Sequence, residues 1–257
     1  MRTSWFAAPA ALMPLAAALP ADASLVNQIP SCYAASRYRF ASAPPRHLLY
    51  VLIDQAGRLS PALRKSVLDN INHALGPATK FVIAQFSRIT NKRYLRVLYT
   101  GIIESPMSSA ERDNVPVNSL GGFNSCMRGQ AQYALHMADT AAERALQSAS
   151  GAANQPNDIL FALKTVAPVI AQDGAAKKVL FLVTDGFENS SFANFSAGIA
   201  DPGHMLQQVR AQGLLANFGG ARVFVLGAGI SPRTVAGPSF LRQAGAAGSR
   251  VRRSGRR

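Results

Sequence analysis

Two aspartates stand where an α/β protein places its chemistry. Asp54 closes the apolar run HLLYVLID over residues 47–54, and Asp185 closes KKVLFLVTD over residues 177–185. In open parallel sheets, ligands bind beyond the carboxyl ends of the strands, at the point where strand order reverses. If the two runs are neighbouring strands, both carboxylates emerge at one edge of the sheet and can share a cation or a polar ligand. Loop capping is the competing use, because Asp before Gly is common in turns and Gly186 follows Asp185.

The other reactive residues form no catalytic set. His47, His73, His136 and His204 lack the HExxH spacing of a zinc site, and neither Cys32 nor Cys126 belongs to a CxxC pair. No G-x-S-x-G elbow occurs, and the glycines at 227 and 229 lack the G-x-G-x-x-G spacing and opening helix of a dinucleotide site. A phosphatase of the haloacid dehalogenase type needs a second carboxylate two residues after the strand-end aspartate, and that position is Ala56.

The elements that must position the two aspartates alternate between strand and helix. Residues 47–54 read as a strand buried on both faces. Ser60 then caps a helix with Pro61 at its first position. Its apolar stripe is Leu63, Val67, Ile71 and Leu75, and Gly76-Pro77 stops it. Residues 80–87 and 94–103 form two strands too close for a crossover helix, so they pair antiparallel and the second is the sheet edge. A long polar connection over residues 105–122 leads to Cys126 and a helix at 127–147. Asn157 or Asp158 opens a helix with Ile159, Leu163, Val166 and Ile170 inward. Strands at 177–185 and 222–227 and a helix at 202–212 complete the pattern. It specifies a three-layer α/β domain with an open, mostly parallel, Rossmann-like sheet and one antiparallel edge strand. No final strand is visible after residue 229.

The chain has 257 residues, 48% of them hydrophobic and 16% charged, which suffices for a sizeable core and excludes intrinsically disordered and collagen-like classes. The net charge is +14, and Arg242, Arg250, Arg252, Arg253, Arg256 and Arg257 crowd the end of the chain. Such a tail reads as a solvated, flexible end, and no nucleic-acid partner is expected. At the other end, Arg2, an apolar stretch over residues 5–19 and Ala21-Asp22-Ala23 have the form of a secretory signal cleaved after Ala23. The stretch is shorter than a membrane span and is broken by Pro9 and Pro14, so no stable anchor is expected after cleavage. Export to the periplasm or medium makes a Cys32–Cys126 disulfide the economical assignment. The domains expected are a signal peptide at 1–23, an N-terminal extension at 24–45, the α/β domain at 46–231 and the basic tail at 232–257.

LLYVLIDQAGRLSPALRKSVLDNIN, NDILFALKTV and KKVLFLVTDGFENSS resemble the first strand and helix, the threonine loop and the fourth strand of von Willebrand factor type A (vWA) domains. The similarity covers about residues 46–231. The Ala- and Arg-rich composition points to a bacterial exported type. The resemblance implies a binding device whose metal-ion-dependent adhesion site is built from a D-x-S-x-S loop, a threonine before a helix and a strand-end aspartate, with the ion completed by an acidic group of a protein partner. In this chain Asp54 and Asp185 occupy the aspartate positions, but Ala56 and Arg58 replace the serines and Asn157 the threonine. The adhesion site is therefore degenerate. No cofactor is the leading reading, with Mg2+ on Asp54, Asn157 and Asp185 as the alternative. Arg58 can swing its guanidinium toward Asp54 and Asp185 in the ion's place.

The function expected is that of an exported, non-catalytic adhesion or scaffold module. It binds a protein of unknown identity through Asp54, Ala56, Arg58, Asn157, Asp158, Asp185 and Gly186. The alternative is a small-ligand-binding or hydrolytic α/β domain that uses the Asp54/Asp185 pair unaided.

Overall fold

The continuous apolar run of β1 (His47–Asp54) is buried after its first residue. Parallel neighbours lie on both sides of it, β2 (Thr79–Phe86) and β4 (Lys177–Val183), so neither edge meets water. A computed structural model describes residues 26–36, 40–57, 59–88, 94–149, 157–195 and 201–228, with the backbone of Val251–Arg252. Beyond β2 lies β3 (Leu95–Ile103), paired antiparallel as its short connection requires, and beyond β4 lies β5 (Arg222–Leu226), paired parallel. The two-residue β6 (Val251–Arg252) adds in parallel to Val223 and Phe224, giving the order β3-β2-β1-β4-β5-β6. The expectation that no strand follows residue 229 is thereby corrected. A two-residue strand inside an arginine-rich run carries no alternating apolar pattern to be read.

Helices close both faces. In chain order they are α1 (Cys32–Ala35), α2 (Pro61–Ala74), α3 (Ser109–Asp113), α4 (Val117–Ser148), α5 (Ile159–Gln172) and α6 (Pro202–Ala211). Ser60 accepts the Leu63 N–H and starts α2 as expected. Leu49, Val51 and Ile53 of β1 pack under α2 and α4, while Leu48, Tyr50 and Leu52 pack under α5 and α6. This alternation of one strand between two cores is the three-layer architecture.

The connection expected over residues 105–122 is instead two helices. Ser108 and Glu111 form a reciprocal capping box that opens α3. α4 begins ten residues before the expected start and runs through Gly121-Gly122. Tertiary contacts offset the poor helix propensity there: Phe123, Leu120 and Met127 pack with Cys32 and Tyr33, and the Tyr33 and Phe123 rings meet edge to face at 5.0 Å.

Cys32 and Cys126 are joined in a disulfide, with Cα atoms 5.9 Å apart across 94 residues of sequence. Beside it, buried Glu104 accepts hydrogen bonds from the Cys32 N–H and from Gln130 Nε2, each at 2.9 Å. The N-terminal extension then runs along the outer side of β3, where Gln28 N–H donates to the Thr100 carbonyl and Ile102 N–H to Asn27 Oδ1. It covers part of an edge that would otherwise offer unpaired backbone groups.

Candidate functional site

The parallel register of β1 and β4 carries Asp54 and Asp185 to the carboxyl edge of the sheet. Asp54 is only 3% exposed. Its Oδ1 accepts the Ala56 N–H at 2.8 Å, and its Oδ2 accepts Asn157 Nδ2 at 2.8 Å and the Thr184 hydroxyl at 2.7 Å. One carboxylate thus joins the turn after β1, the residues before α5 and the end of β4. Burial pushes its pKa up to about 6, with the Asp185 charge adding to the rise and the three hydrogen bonds opposing it.

Asp185 lies two residues past the end of β4 and is partly exposed. Its Oδ1 accepts the Phe187 N–H at 3.0 Å, and a Cβ on Gly57 would stand 3.3 Å from its Oδ2. Its carboxyl is also raised, first by burial, while hydrogen bonds from the Phe187 and its own N–H groups lower it. The Gly186 N–H donates to the Thr184 hydroxyl oxygen at 3.1 Å, so a single threonine couples the turn after β4 to Asp54.

Asn157, 1% exposed, works in both directions. Its amide nitrogen donates to Asp54 while its Oδ1 accepts the Asn189 N–H at 2.8 Å, and its own N–H donates to the Asn189 carbonyl. A carboxylate on one side and a backbone donor on the other settle which end of the amide is which. Asp158 is the N-cap residue of α5, and its side chain makes no capping hydrogen bond. Glu188 serves that helix end instead: buried to 1% exposure, its Oε2 accepts the Leu160 N–H at 3.1 Å. Burial pushes Glu188 up to about 7, hydrogen bonds from Ser190, Leu160 and Ile159 oppose this, and the Asp158 charge adds to it.

These groups do not fit a magnesium ion as they stand. Both oxygens of Asp54 and the amide oxygen of Asn157 are taken by donors of the same chain, and the Ala56 N–H points at Asp54. An octahedral shell of oxygens would have to compete with these donors for the same atoms. Among the described residues no group of three or more His, Cys, Asp or Glu is placed to hold a metal. Asp54, Ala56, Asn157, Asp158, Asp185 and Gly186 are therefore found at one edge of the sheet. Arg58, expected to pair with the aspartates, lies outside the described residues. The hydrogen bonds that Thr184, Glu188 and Asn189 make here were not foreseen from the sequence. Thr184 directly precedes Asp185 at the strand end, a position that could have drawn notice, whereas nothing in the spacing of Glu188 marks it.

No family model matches the chain and no curated protein is similar to it. Among solved structures, two of proximal thread matrix protein 1 from the mussel byssus, one with a zinc-occupied MIDAS motif, are similar at 13% and 14% identity with TM-scores of 0.38 and 0.35. Each covers 83% of this chain, which spans only 44% and 45% of the matched chains.

Proposed function

We propose that this chain is an exported, non-catalytic protein-interaction module of vWA type. Its degenerate ion site works without a metal and presents the loops after β1 and β4, at residues 55–57 and 186–191, to a protein partner. The observation that carries this reading is the use made of Asp54. At 3% exposure, with three hydrogen bonds to its own chain, it fastens three loops together, which suits a fixed surface better than proton exchange with a substrate. The same burial disfavours an unaided Asp54/Asp185 pair in hydrolysis or small-ligand binding. Export is supported by the Cys32–Cys126 bond, since such bonds persist in oxidising compartments. No helix among the described residues is long and apolar enough to cross a membrane.

The test is quantitative capture of partners from the native source, with the domain as bait. Asp185→Ala at a partly exposed loop position and Ser191→Lys at an exposed one should reduce capture at an unchanged melting temperature, and chelator should have no effect. Equal capture by both variants would move the interface elsewhere. Loss of capture in chelator would restore an ion-dependent site.

A further inference from the structure

A groove of about 300 Å3 lies between β3 and the second half of α4, apart from the aspartate site. Its charged residues are Arg96 on the strand and Arg144 on the helix, with half-buried Gln85 and Thr140 beside them. A β-bulge makes this meeting happen. The β2–β3 register slips between Ile83↔Tyr99 and Ala84↔Val97, so Leu98 is the extra residue. Strict alternation from Tyr99 would turn Leu95 toward α4 and Arg96 away. With the bulge, Arg96 faces α4 opposite Gln85, and Leu95 joins the core under α5. On α4, Met137, Thr140, Ala141, Arg144 and Ser148 recur at helical spacing along the same wall. Ser148 is anchored in turn, its Oγ 2.6 Å from Gln55 Oε1, while Gln55 Nε2 donates to the Ala145 carbonyl.

Among the described residues no carboxylate lines this groove. The ion pairs among the described residues are Lys65–Asp69 and Lys80–Asp173, and neither Arg96 nor Arg144 has an acidic partner there. We propose that the groove docks an acidic peptide segment of a partner protein, with its carboxylates seated on Arg96 and Arg144. The planar fork of donors on arginine matches a carboxylate in paired hydrogen bonds, and the Gln85 amide on the sheet side and the Thr140 hydroxyl on the helix side add neutral donors. Two cations are too few for a nucleic-acid backbone, whose affinity comes from many phosphates neutralised together. The proposal rests on the interaction reading above only in taking the partner to be a protein.

The experiment is fluorescence anisotropy on the disulfide-bonded protein, with a labelled peptide of alternating Glu and Ser as probe and its Gln counterpart as control. The Glu peptide should bind, more tightly at low ionic strength. Arg96→Gln with Arg144→Gln should weaken it by about tenfold or more. Arg112→Gln with Arg128→Gln, exposed cations elsewhere that make the same change in net charge, should not. Equal binding of the Gln peptide, equal loss in both double variants, or displacement by free glutarate at the peptide's own affinity would each overturn the proposal, the last by assigning the groove to a small diacid. Failure here alongside loop-dependent capture would leave the interaction reading intact. Arginine-dependent peptide binding with loop-independent capture would overturn the loop surface and keep the groove.

Discussion

Asp54 and Glu188 are carboxyls held in the core of a positively charged protein, and both are raised, to about 6 and about 7, by burial before any other cause. A carboxyl whose folded pKa lies above its unfolded value binds protons more readily in the folded state. Stability therefore falls as pH rises from the unfolded value through the folded one. Denaturant unfolding should show a higher midpoint at pH 5 than at pH 8, with Asp54 contributing on the order of 1 to 1.5 kcal/mol and Glu188 on the order of 2 to 2.5 kcal/mol over that interval. Glu188→Gln and Asp54→Asn should each flatten part of that slope. A midpoint that is level or rises between pH 5 and 8 in the unmodified protein would contradict the burial account. The place of Asp54 at the carboxyl edge of the sheet was readable because it ends an apolar strand. Its role as a staple was not, because Asn157 and Thr184 reach it across 103 and 130 residues of chain.

At the scale of elements, the ends of β4 and β5 are locked by backbone contact. Gly227, one residue past β5, has φ +99°, and a Cβ there would stand 2.9 Å from the Thr184 carbonyl oxygen. Gly227→Ala should cost about 1 to 3 kcal/mol, because neither the left-handed backbone nor the carbonyl can yield cheaply. Gly129 lies inside α4, where a Cβ would meet nothing within 4 Å, and Gly129→Ala should instead gain about 0.5 to 1 kcal/mol. Chemical denaturation of the pair tests the contrast, and a neutral Gly227→Ala would remove Thr184 from its assigned position. The starts of α2 and α6 follow from local chemistry, a capping Ser60 or Asp201 with proline at the first position. The first ten residues of α4 do not, because their glycines are held helical by the cluster around Tyr33 and Phe123.

At the scale of the whole molecule, the Cys32–Cys126 bond ties the N-terminal extension to the middle of the chain. The bond closes a loop of 94 residues. Constraint of the unfolded chain by a loop of that length is worth about 4 to 5 kcal/mol, so Cys32→Ser with Cys126→Ser should lower the free energy of unfolding by roughly that amount. Unchanged stability in the double variant would mean that Glu104 and Gln130 hold the extension without it. The sequence by itself determined the α/β layering, the parallel core strands, the antiparallel β2–β3 pair and the disulfide partners, while the convergence of Asp54 and Asp185 waited on the pairing of β1 with β4. Each of the former follows from a local pattern: apolar runs buried on both faces, a connection too short for a crossover, and two cysteines with no other partner. Only the tertiary structure decided that Glu188 rather than Asp158 serves the start of α5, that Asp54 is spent on its own loops, and that a bulge at Leu98 turns Arg96 toward α4. Those outcomes depend on which distant groups meet in the folded core, where an unpaired buried donor or carboxylate is costly, and neither spacing nor composition along the chain encodes that meeting.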